Sequence, residues 1–222
     1  MKKLGFNSNF CWLLASTLLL TSCGGGSDSP SAPVPQPDPL AVYQWHLNNT
    51  GQSSFSSEGG VPKIDLNLAS LFAAGITGQG VKVLVLDDGL DIHHPDLAAN
   101  MDPTRLHNFS PDAANPNDPT PTNADDGHGT AVAGIIGAVA NNGIGGRGVA
   151  PNASLGGANL LCDTACSPSV QTVLSAYGGA SFSASAEVIN ASYGTDNAAP
   201  VTVDIDTDPE MRAIAGFAGM RG

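Results

Sequence analysis

The chain has 222 residues, of which 41% are hydrophobic and 13% are charged, and it contains 27 glycines. This length suits one domain with a sizeable core, and the composition is that of a globular protein rather than a disordered one. The net charge of −12 at pH 7 argues against nucleic acid and anionic lipid surfaces as partners.

The first 22 residues have the pattern of a secretion signal. Two lysines precede an apolar run that is too short to span a bilayer as a stable helix. The run ends in LTSC, which resembles the bacterial lipobox, so Cys23 is expected to carry lipid and to become the mature N-terminus. The alternative is an ordinary cleaved signal with an incidental cysteine.

Residues 23–37 are predicted to form a flexible tether. They are rich in Gly, Ser and Pro and contain too few apolar residues to build a core. With lipid on Cys23, the tether would hold a globular domain, residues 38–222, to membrane lipid outside the cytoplasm. We expect the outer membrane, its periplasmic face or the cell surface.

The rest of the chain alternates predicted helices and strands. Helices are predicted at 65–75, 128–142, 169–179 and from 208 onward, and strands at 81–87, 154–161 and 186–194. Such alternation predicts an α/β fold with a parallel sheet. The helix at 128–142 is apolar around most of its circumference, so we expect it to be buried.

Two cysteines stand close together in CDTAC, Cys162 and Cys166. Outside the cytoplasm, such a pair most often forms a disulfide. A redox pair and half of a zinc site remain alternatives.

Chemically active residues lie at the ends of these elements. Asp87 and Asp88 follow a buried strand, and His128 begins a helix. Functional groups of open α/β sheets lie at the carboxyl ends of strands, where an aspartate could orient the imidazole and stabilise its charged form. Read alone, the DDG sequence at 87–89 is more typical of a plain turn.

Two long motifs make a family resemblance specific. VLVLDDGLDIHHPDL and HGTAVAGIIGAVANNGIGGRGVAPNASL resemble the aspartate and histidine motifs of subtilisin-like serine proteases. The doubled aspartate, QWHLNNTGQ and VANNGIGGRGVA resemble the kexin and furin branch in particular. The similarity runs from about residue 38 to the end. It implies a subtilisin-like parallel sheet with flanking helices and a polypeptide-cleaving enzyme.

The resemblance assigns roles to individual residues. Asp87 would be the catalytic aspartate, and His128 the general base. Asp88 would line the substrate site, and the NASYG segment would pair with substrate backbone. The binding residues of that segment would be Ser192, Tyr193 and Gly194.

The resemblance also implies a calcium site. Its ligands would come from an N-terminal aspartate, the HPDL motif and the loop after the histidine helix, namely Asp38, Asp96, Val139, Asn142, Ile144 and Gly146. All-oxygen ligation with two carboxylates suits this hard cation. The alternative for NNGIGG is a plain turn. His93 and His94 are expected to be surface residues rather than zinc ligands.

The nucleophile and the oxyanion donor have no candidate in the sequence. In the family both lie further along, in GTS and GN motifs, and no serine here has the corresponding setting. We therefore expect these 222 residues to be inactive alone and to be the N-terminal part of a longer protease, with the sheet truncated before its last strands. An inhibitory folding domain of the usual kind has no room between Cys23 and Asp38.

Three functions remain open from the sequence. The first is a calcium-stabilised, membrane-anchored serine endopeptidase, which the retention of Asp87, Asp88 and His128 favours. The second is a pseudoprotease lipoprotein that binds calcium or peptides without cutting. The third is a structural surface lipoprotein, for which calcium should not raise the melting temperature.

Overall fold

The computed structural model describes residues 34–123, 125–162, 169–194 and 208–221. Its centre is a parallel sheet of four strands in the order β2-β3-β1-β4. The strands are β1 (Lys82–Asp87), β2 (Met101–Asn108), β3 (Ser154–Asn159) and β4 (Val188–Ala191). The predicted α/β fold with a parallel sheet is confirmed.

Five α-helices are present in the described part of the chain. They are α1 (Ala69–Ala73), α2 (His128–Gly137), α3 (Val170–Leu174), α4 (Ser181–Ala184) and α5 (Pro209–Arg221). Short 3₁₀ turns lie at Ala41–Tyr43 and Ala98–Asn100, and a π-type turn at Ser175–Gly179 joins α3 to α4. None of these helices has the length and apolar character needed to cross a bilayer.

Strand β1 separates two hydrophobic clusters. Val83 and Val85 belong to one cluster with Ala133 of α2, whereas Leu84 and Leu86 belong to the other. Successive side chains of a strand point to opposite faces, so helices cover both faces of the sheet. Asp87 follows Val83 and Val85 at every second position of β1, so it lies on the face that α2 covers.

Helix α2 differs from its prediction in two respects. It ends at Gly137, because Ala138 turns out of helical geometry with ψ 140°. It is also buried on one face only, since Ile135 is 58% exposed while Ala133 is fully buried. The prediction of a buried helix was therefore wrong for its outer face, where no second layer of described residues covers the apolar side chains.

The other predicted elements are present with shorter bounds. Helix α1 is followed by Gly75 at φ +74°, a conformation that favours glycine. Helix α5 begins as predicted, and Asp208 Oδ1 accepts a hydrogen bond of 3.1 Å from the Met211 backbone. Strand β2 was not predicted, since Asp102 and Pro103 interrupt its apolar pattern.

The compact unit that contains the sheet begins at Pro35. The predicted signal peptide and most of the predicted tether lie outside the described residues. At the opposite edge from β2, strand β4 pairs with β1 alone among the described strands. Val188 of β4 is 47% exposed there.

Candidate active site

Asp87 occupies the carboxyl end of the central strand β1. Its register partner on β3 is Asn159, and the Asp87 residue is 1% exposed. A carboxylate at this depth favours a nearby positive or hydrogen-bonding partner, because desolvation without one is costly. Its position at the carboxyl edge of a parallel sheet is the location that the sequence predicted.

His128 provides that partner from the first residue of α2. Its Nδ1 lies 2.8 Å from Asp87 Oδ1. The imidazole side chain is 57% exposed, so its far side faces solvent. The predicted pair of aspartate and histidine is therefore assembled, with the carboxylate buried and the imidazole accessible.

The two oxygens of the Asp87 carboxylate differ in their hydrogen bonding. Oδ1 also accepts a hydrogen bond of 2.8 Å from the backbone N–H of Asp88. Oδ2 is buried and has no hydrogen-bond partner among the described residues. The hydrogen bond and the negative charge of Asp87 raise the pKa of His128 above its ordinary value, and the charge of Asp88 acts in the same direction. Partial burial of the ring opposes this shift.

Asp88 contacts the backbone of the same helix. Its Oδ2 accepts from His128 N at 3.0 Å, and its Oδ1 accepts from Gly129 N at 2.7 Å. Gly129 is required for this approach: a Cβ there would overlap the Gly89 carbonyl oxygen and lie 2.7 Å from Asp87 Cβ. The sequence assigned Asp88 to substrate binding and did not anticipate its contact with α2.

The predicted substrate segment leaves the sheet at the same edge. Leu86 of β1 and Ala191 of β4 are register partners in parallel strands, so the next residues, Asp87 and Ser192, lie side by side. Ser192 and Gly194 are exposed, and Tyr193 is half-buried. The hydroxyl of Tyr193 lies 3.0 Å from that of Tyr177, which is buried in the core.

The predicted calcium ligands converge on the loop after α2. Asp38 and Asp96 are 6% and 4% exposed. The Asp38 carboxylate accepts from the backbone N–H groups of Asn141 and Asn142 at 2.8 and 3.0 Å. Asp96 Oδ1 accepts from Asn142 Nδ2 at 2.8 Å, and Val139 N donates to the Asp96 carbonyl at 2.9 Å.

Two glycines allow the same loop to approach its neighbours. Gly145 has φ +49°, and a Cβ there would overlap Asp96 Oδ2. A Cβ on Gly146 would lie 2.9 Å from the amide of Gln44, which bonds both backbone groups of Arg147. The Leu40 N–H also donates to the Gly145 carbonyl at 2.7 Å.

This loop fits a hard cation by its chemistry. Neither Asp38 nor Asp96 has an ion-pair partner in the described part of the chain, so two buried carboxylates stand without a positive charge. A cluster of three or more His, Cys, Asp or Glu side chains that could hold a metal is absent from the described residues. The predicted set contains only two such residues, and the rest are carbonyl and amide oxygens. His94 is half-buried and accepts from Asp96 N through Nδ1, whereas His93 is exposed.

The remaining predicted positions are only partly described. Cys162 is disulfide-bonded, and Cys166, its predicted partner, lies outside the described residues. Cys23 also lies outside them, so lipidation stays a prediction.

Sequence reasoning missed a polar cavity at the carboxyl edge of the sheet, lined by the register partner of Asp87 on β3. Asn159 is 7% exposed and its Oδ1 has no described hydrogen-bond partner. It lines the cavity together with Asp112, Asp118, Thr120 and Asp126. The aspartates after residue 108 could have been placed at this edge only if β2 had been recognised as a strand.

Comparison with known proteins places these features in one family. Residues 78–217 match the Subtilase family. An extracellular serine protease of Aeromonas sobria is 45% identical over 170 residues, which are 76% of this chain and 26% of that protein. Human neuroendocrine convertase 2 is 37% identical over 182 residues, which are 80% of this chain and 26% of the convertase.

Solved structures agree with the sequence relatives. The crystal structure of the Aeromonas sobria serine protease matches with a TM-score of 0.70 and 41% identity, covering 87% of this chain and 32% of that one. A second structure, of that protease in complex with a chaperone, matches with a TM-score of 0.71 and 41% identity, covering 83% and 30%. The matched region thus covers about a quarter to a third of the length of each of these relatives. The chain belongs to the subtilase family of serine proteases.

Proposed function

We propose that this chain supplies the aspartate and the histidine of a serine endopeptidase active site. The observation that carries the proposal is the 2.8 Å contact between His128 Nδ1 and buried Asp87 Oδ1 at the carboxyl edge of the sheet. An accessible imidazole oriented by a buried carboxylate is the general-base half of a serine protease triad.

The chemistry follows from the two ends of the imidazole. With Nδ1–H donated to Asp87, Nε2 carries the free lone pair and can take the proton of a serine hydroxyl as its oxygen attacks a peptide carbonyl. The resulting imidazolium is stabilised by Asp87, and Nε2 then gives its proton to the departing amine. Hydrolysis of the acyl-enzyme by water repeats the transfer and returns the serine.

We propose that the nucleophilic serine and the oxyanion donor are supplied by residues beyond these 222, which are therefore inactive alone. No serine of the sequence has the family setting of a nucleophile. A protease without its serine loses about a million-fold in turnover.

The substrate is proposed to be an extended polypeptide. Exposed Ser192 and Gly194 leave the sheet beside Asp87, where their backbone would pair with a peptide. Half-buried Tyr193 would form one wall of the binding site. Asp88 keeps unused lone pairs on both oxygens, which could accept from a basic substrate side chain.

Calcium is proposed as a structural ligand. Subtilases generally bind calcium. The residues that would hold it are Asp38, Asp96, Val139, Asn142, Ile144 and Gly146, the last few through backbone or amide oxygens. Asn142 Oδ1 here accepts from Ile144 N, and its Nδ2 faces Asp96, so ligation through Oδ1 requires the amide to rotate. The ion would neutralise two buried carboxylates and tie the N-terminal segment to the core.

Anchoring to a membrane through Cys23 is a further proposal, supported by the lipobox-like sequence alone. Replacing Cys23 with Ala should release the protein from the membrane fraction, whereas Cys11→Ala in the predicted signal should not. Retention of the Cys23→Ala variant in that fraction would remove the basis for the anchor.

A fluorophosphonate probe, which reacts with activated serines, tests the proposed activity. The probe is applied in the presence of calcium to the protein expressed from its complete gene. We expect labelling of the wild type and loss of labelling in His128→Ala and Asp87→Asn variants. Asp91→Asn, which removes a nearby carboxylate without contact to His128, should be labelled normally. A folded wild-type protein that is not labelled would instead be the pseudoprotease.

A further inference from the structure

The N-terminus of helix α2 has no cap of its own. The residue before the helix is Gly127, which has no side chain, and the first turn contains no acidic residue. The first backbone N–H groups of a helix have no partner within it, and a side-chain acceptor usually binds them. The N–H groups of His128 and Gly129 are the first two of α2.

Asp88 supplies the missing cap from another element. Its two oxygens accept these two N–H groups at 3.0 and 2.7 Å, although it lies 40 residues before His128 in the chain. Asp88 is itself fixed, because its own N–H donates to Asp87 Oδ1 at 2.8 Å. Hydrogen bonds thus run from Asp87 to the Asp88 backbone and from the Asp88 carboxylate to the start of α2.

We propose that Asp88 is a positioning residue for His128: by capping α2 it fixes the imidazole against Asp87, whether or not it also touches substrate. The kinetic consequence rests on the proposed function, whereas the cap itself does not. An imidazole at a helix start can move with the first turn if that turn frays. The Asp88 carboxylate binds the N–H groups of both His128 and Gly129, so it prevents this movement of the imidazole.

The charge of Asp88 has a second effect on the same group. The positive end of a helix dipole disfavours protonation of a histidine placed there. A carboxylate bonded to that end offsets the dipole, and the charge of Asp88 acts together with Asp87 to favour the imidazolium. In the described part of the chain, these two aspartates are the charged groups that shift the pKa of His128.

Two substitutions, Asp88→Asn and Asp88→Ala, test whether Asp88 acts by capping α2 or only by contacting substrate. The asparagine variant keeps one acceptor and presents an NH₂ group to the other N–H, whereas the alanine variant removes both acceptors. The matched control is Asp125→Asn, which removes an exposed carboxylate from the loop just before α2. All are made in the protein expressed from the complete gene, where nuclear magnetic resonance reads His128 directly.

We expect the amide protons of His128 and Gly129 to exchange about tenfold faster in Asp88→Ala, because charge-assisted hydrogen bonds are lost. The pKa of His128 should fall in both Asp88 variants and stay near the wild-type value in Asp125→Asn. Thermal unfolding shows whether each variant is folded. If Asp88→Ala is unfolded, the pKa of His128 in the Asp88→Asn variant provides the test.

Kinetics in the protein from the complete gene then distinguish positioning from substrate recognition. With a peptide substrate that has only uncharged side chains, Asp88→Asn should lower kcat more than it raises KM, and it should move the acid limb of the pH profile downward. If the amide exchange, the His128 titration and the rate on uncharged peptides all match the wild type, Asp88 does not position His128. If the resonance effects occur in a protein that no fluorophosphonate labels, the cap stands and the proposed protease function falls.

Discussion

Asp87 and Asp88 are adjacent in the chain, yet they hold different atoms of one residue. The buried carboxylate of Asp87 bonds the side chain of His128, and that of Asp88 bonds its backbone N–H. The two contacts are complementary, because one fixes the rotation of the ring and the other fixes the helix turn that carries it. A doubled aspartate at the end of a strand therefore has two structural uses.

The raised pKa of His128 predicts a specific pH dependence. A general base works when it is neutral, so kcat/KM should rise with pH and reach half of its maximum above the ordinary pKa of histidine, about 6.5. In Asp87→Asn the largest cause of the shift is removed, so this midpoint should move to lower pH. The maximum rate should fall by about 10⁴-fold, since an amide selects the wrong tautomer.

The measurement is kcat/KM against pH for both proteins expressed from the complete gene. Asp91→Asn is the control, because it removes a carboxylate that bonds His93 rather than His128. An acid limb that stays in place in Asp87→Asn would mean that another group sets it.

At the scale of elements, three glycines of α2 have different surroundings. Gly129 lies against the end of β1, and Gly137 lies against Leu155 of β3. Gly134 has open space where a Cβ would stand. Close packing on the sheet thus accounts for two of the three glycines.

This contrast gives a matched pair of substitutions in one helix. Gly129→Ala should destabilise the fold by about 1–3 kcal/mol, because its Cβ would overlap rigid backbone. Gly134→Ala should stabilise it by about 0.5–1 kcal/mol, because alanine loses less backbone entropy in a helix. Urea unfolding monitored by circular dichroism measures both. Equal effects of the two substitutions would contradict the tight packing of α2 against β1.

A second prediction concerns the packing of β2 against α4. The ring of His107 stacks on Phe182 with centroids 4.8 Å apart and meets the edge of Phe109 at 4.3 Å. Burial lowers the pKa of His107, so as pH falls the unfolded chain takes up the proton first. The free energy of unfolding should therefore decrease as pH drops from about 6.5 toward the lower folded-state pKa.

His107→Phe keeps an aromatic ring and removes the titration, so its unfolding free energy should depend less on pH in that window. Exposed His93→Phe is the control and should keep the wild-type dependence. Denaturant titrations at several pH values between about 5 and 7, an interval that includes the ordinary histidine pKa of about 6.5, give the comparison. An unchanged slope in His107→Phe would show that the ring contributes nothing to acid sensitivity. His46, whose pKa burial also lowers, would then be the next residue to replace.

Elements with a regular apolar pattern were predictable, and the others were not. Strand β1 is a continuous apolar run because both of its faces are covered, and the run ends at Asp87. Strand β2 begins with a proline-containing segment and buries the guanidinium of Arg105, which bonds Asp102 and the Ser154 backbone. Arg105 thus links β2 to Ser154 of β3 through a long-range contact that no local pattern contains.

For the whole molecule, the pairing of Asp87 with His128 was predictable, whereas the other contacts around this pair were not. The two motifs name Asp87 and His128, and the parallel sheet brings them together. The cap by Asp88 depends on where α2 docks, and the cavity beside Asn159 depends on the unpredicted β2. Both arise from packing between segments that are distant in sequence.

The segment from Asp38 to Gln44 is joined to the core through the loop after α2. Asp38 bonds the backbone of Asn141 and Asn142, and Gln44 clamps Arg147. Both contacts span more than 100 residues of sequence. Since Asp38 and Asp96 place two buried negative charges at this junction, a bound cation should stabilise the whole domain rather than one loop.

Calcium should therefore raise the free energy of unfolding, by about 2.7 kcal/mol when it is present at a hundred times its dissociation constant. Asp38→Asn and Asp96→Asn should each reduce this gain, because each removes a charged ligand. Glu58→Gln, which removes an exposed charge elsewhere, should keep it. Magnesium should stabilise less, since it requires a smaller and more regular site. Thermal and urea unfolding with calcium or with chelator measure the effect. A gain that persists in both aspartate variants would place the ion elsewhere, and no gain in the wild type would leave the two carboxylates held by backbone N–H groups and Asn142 alone.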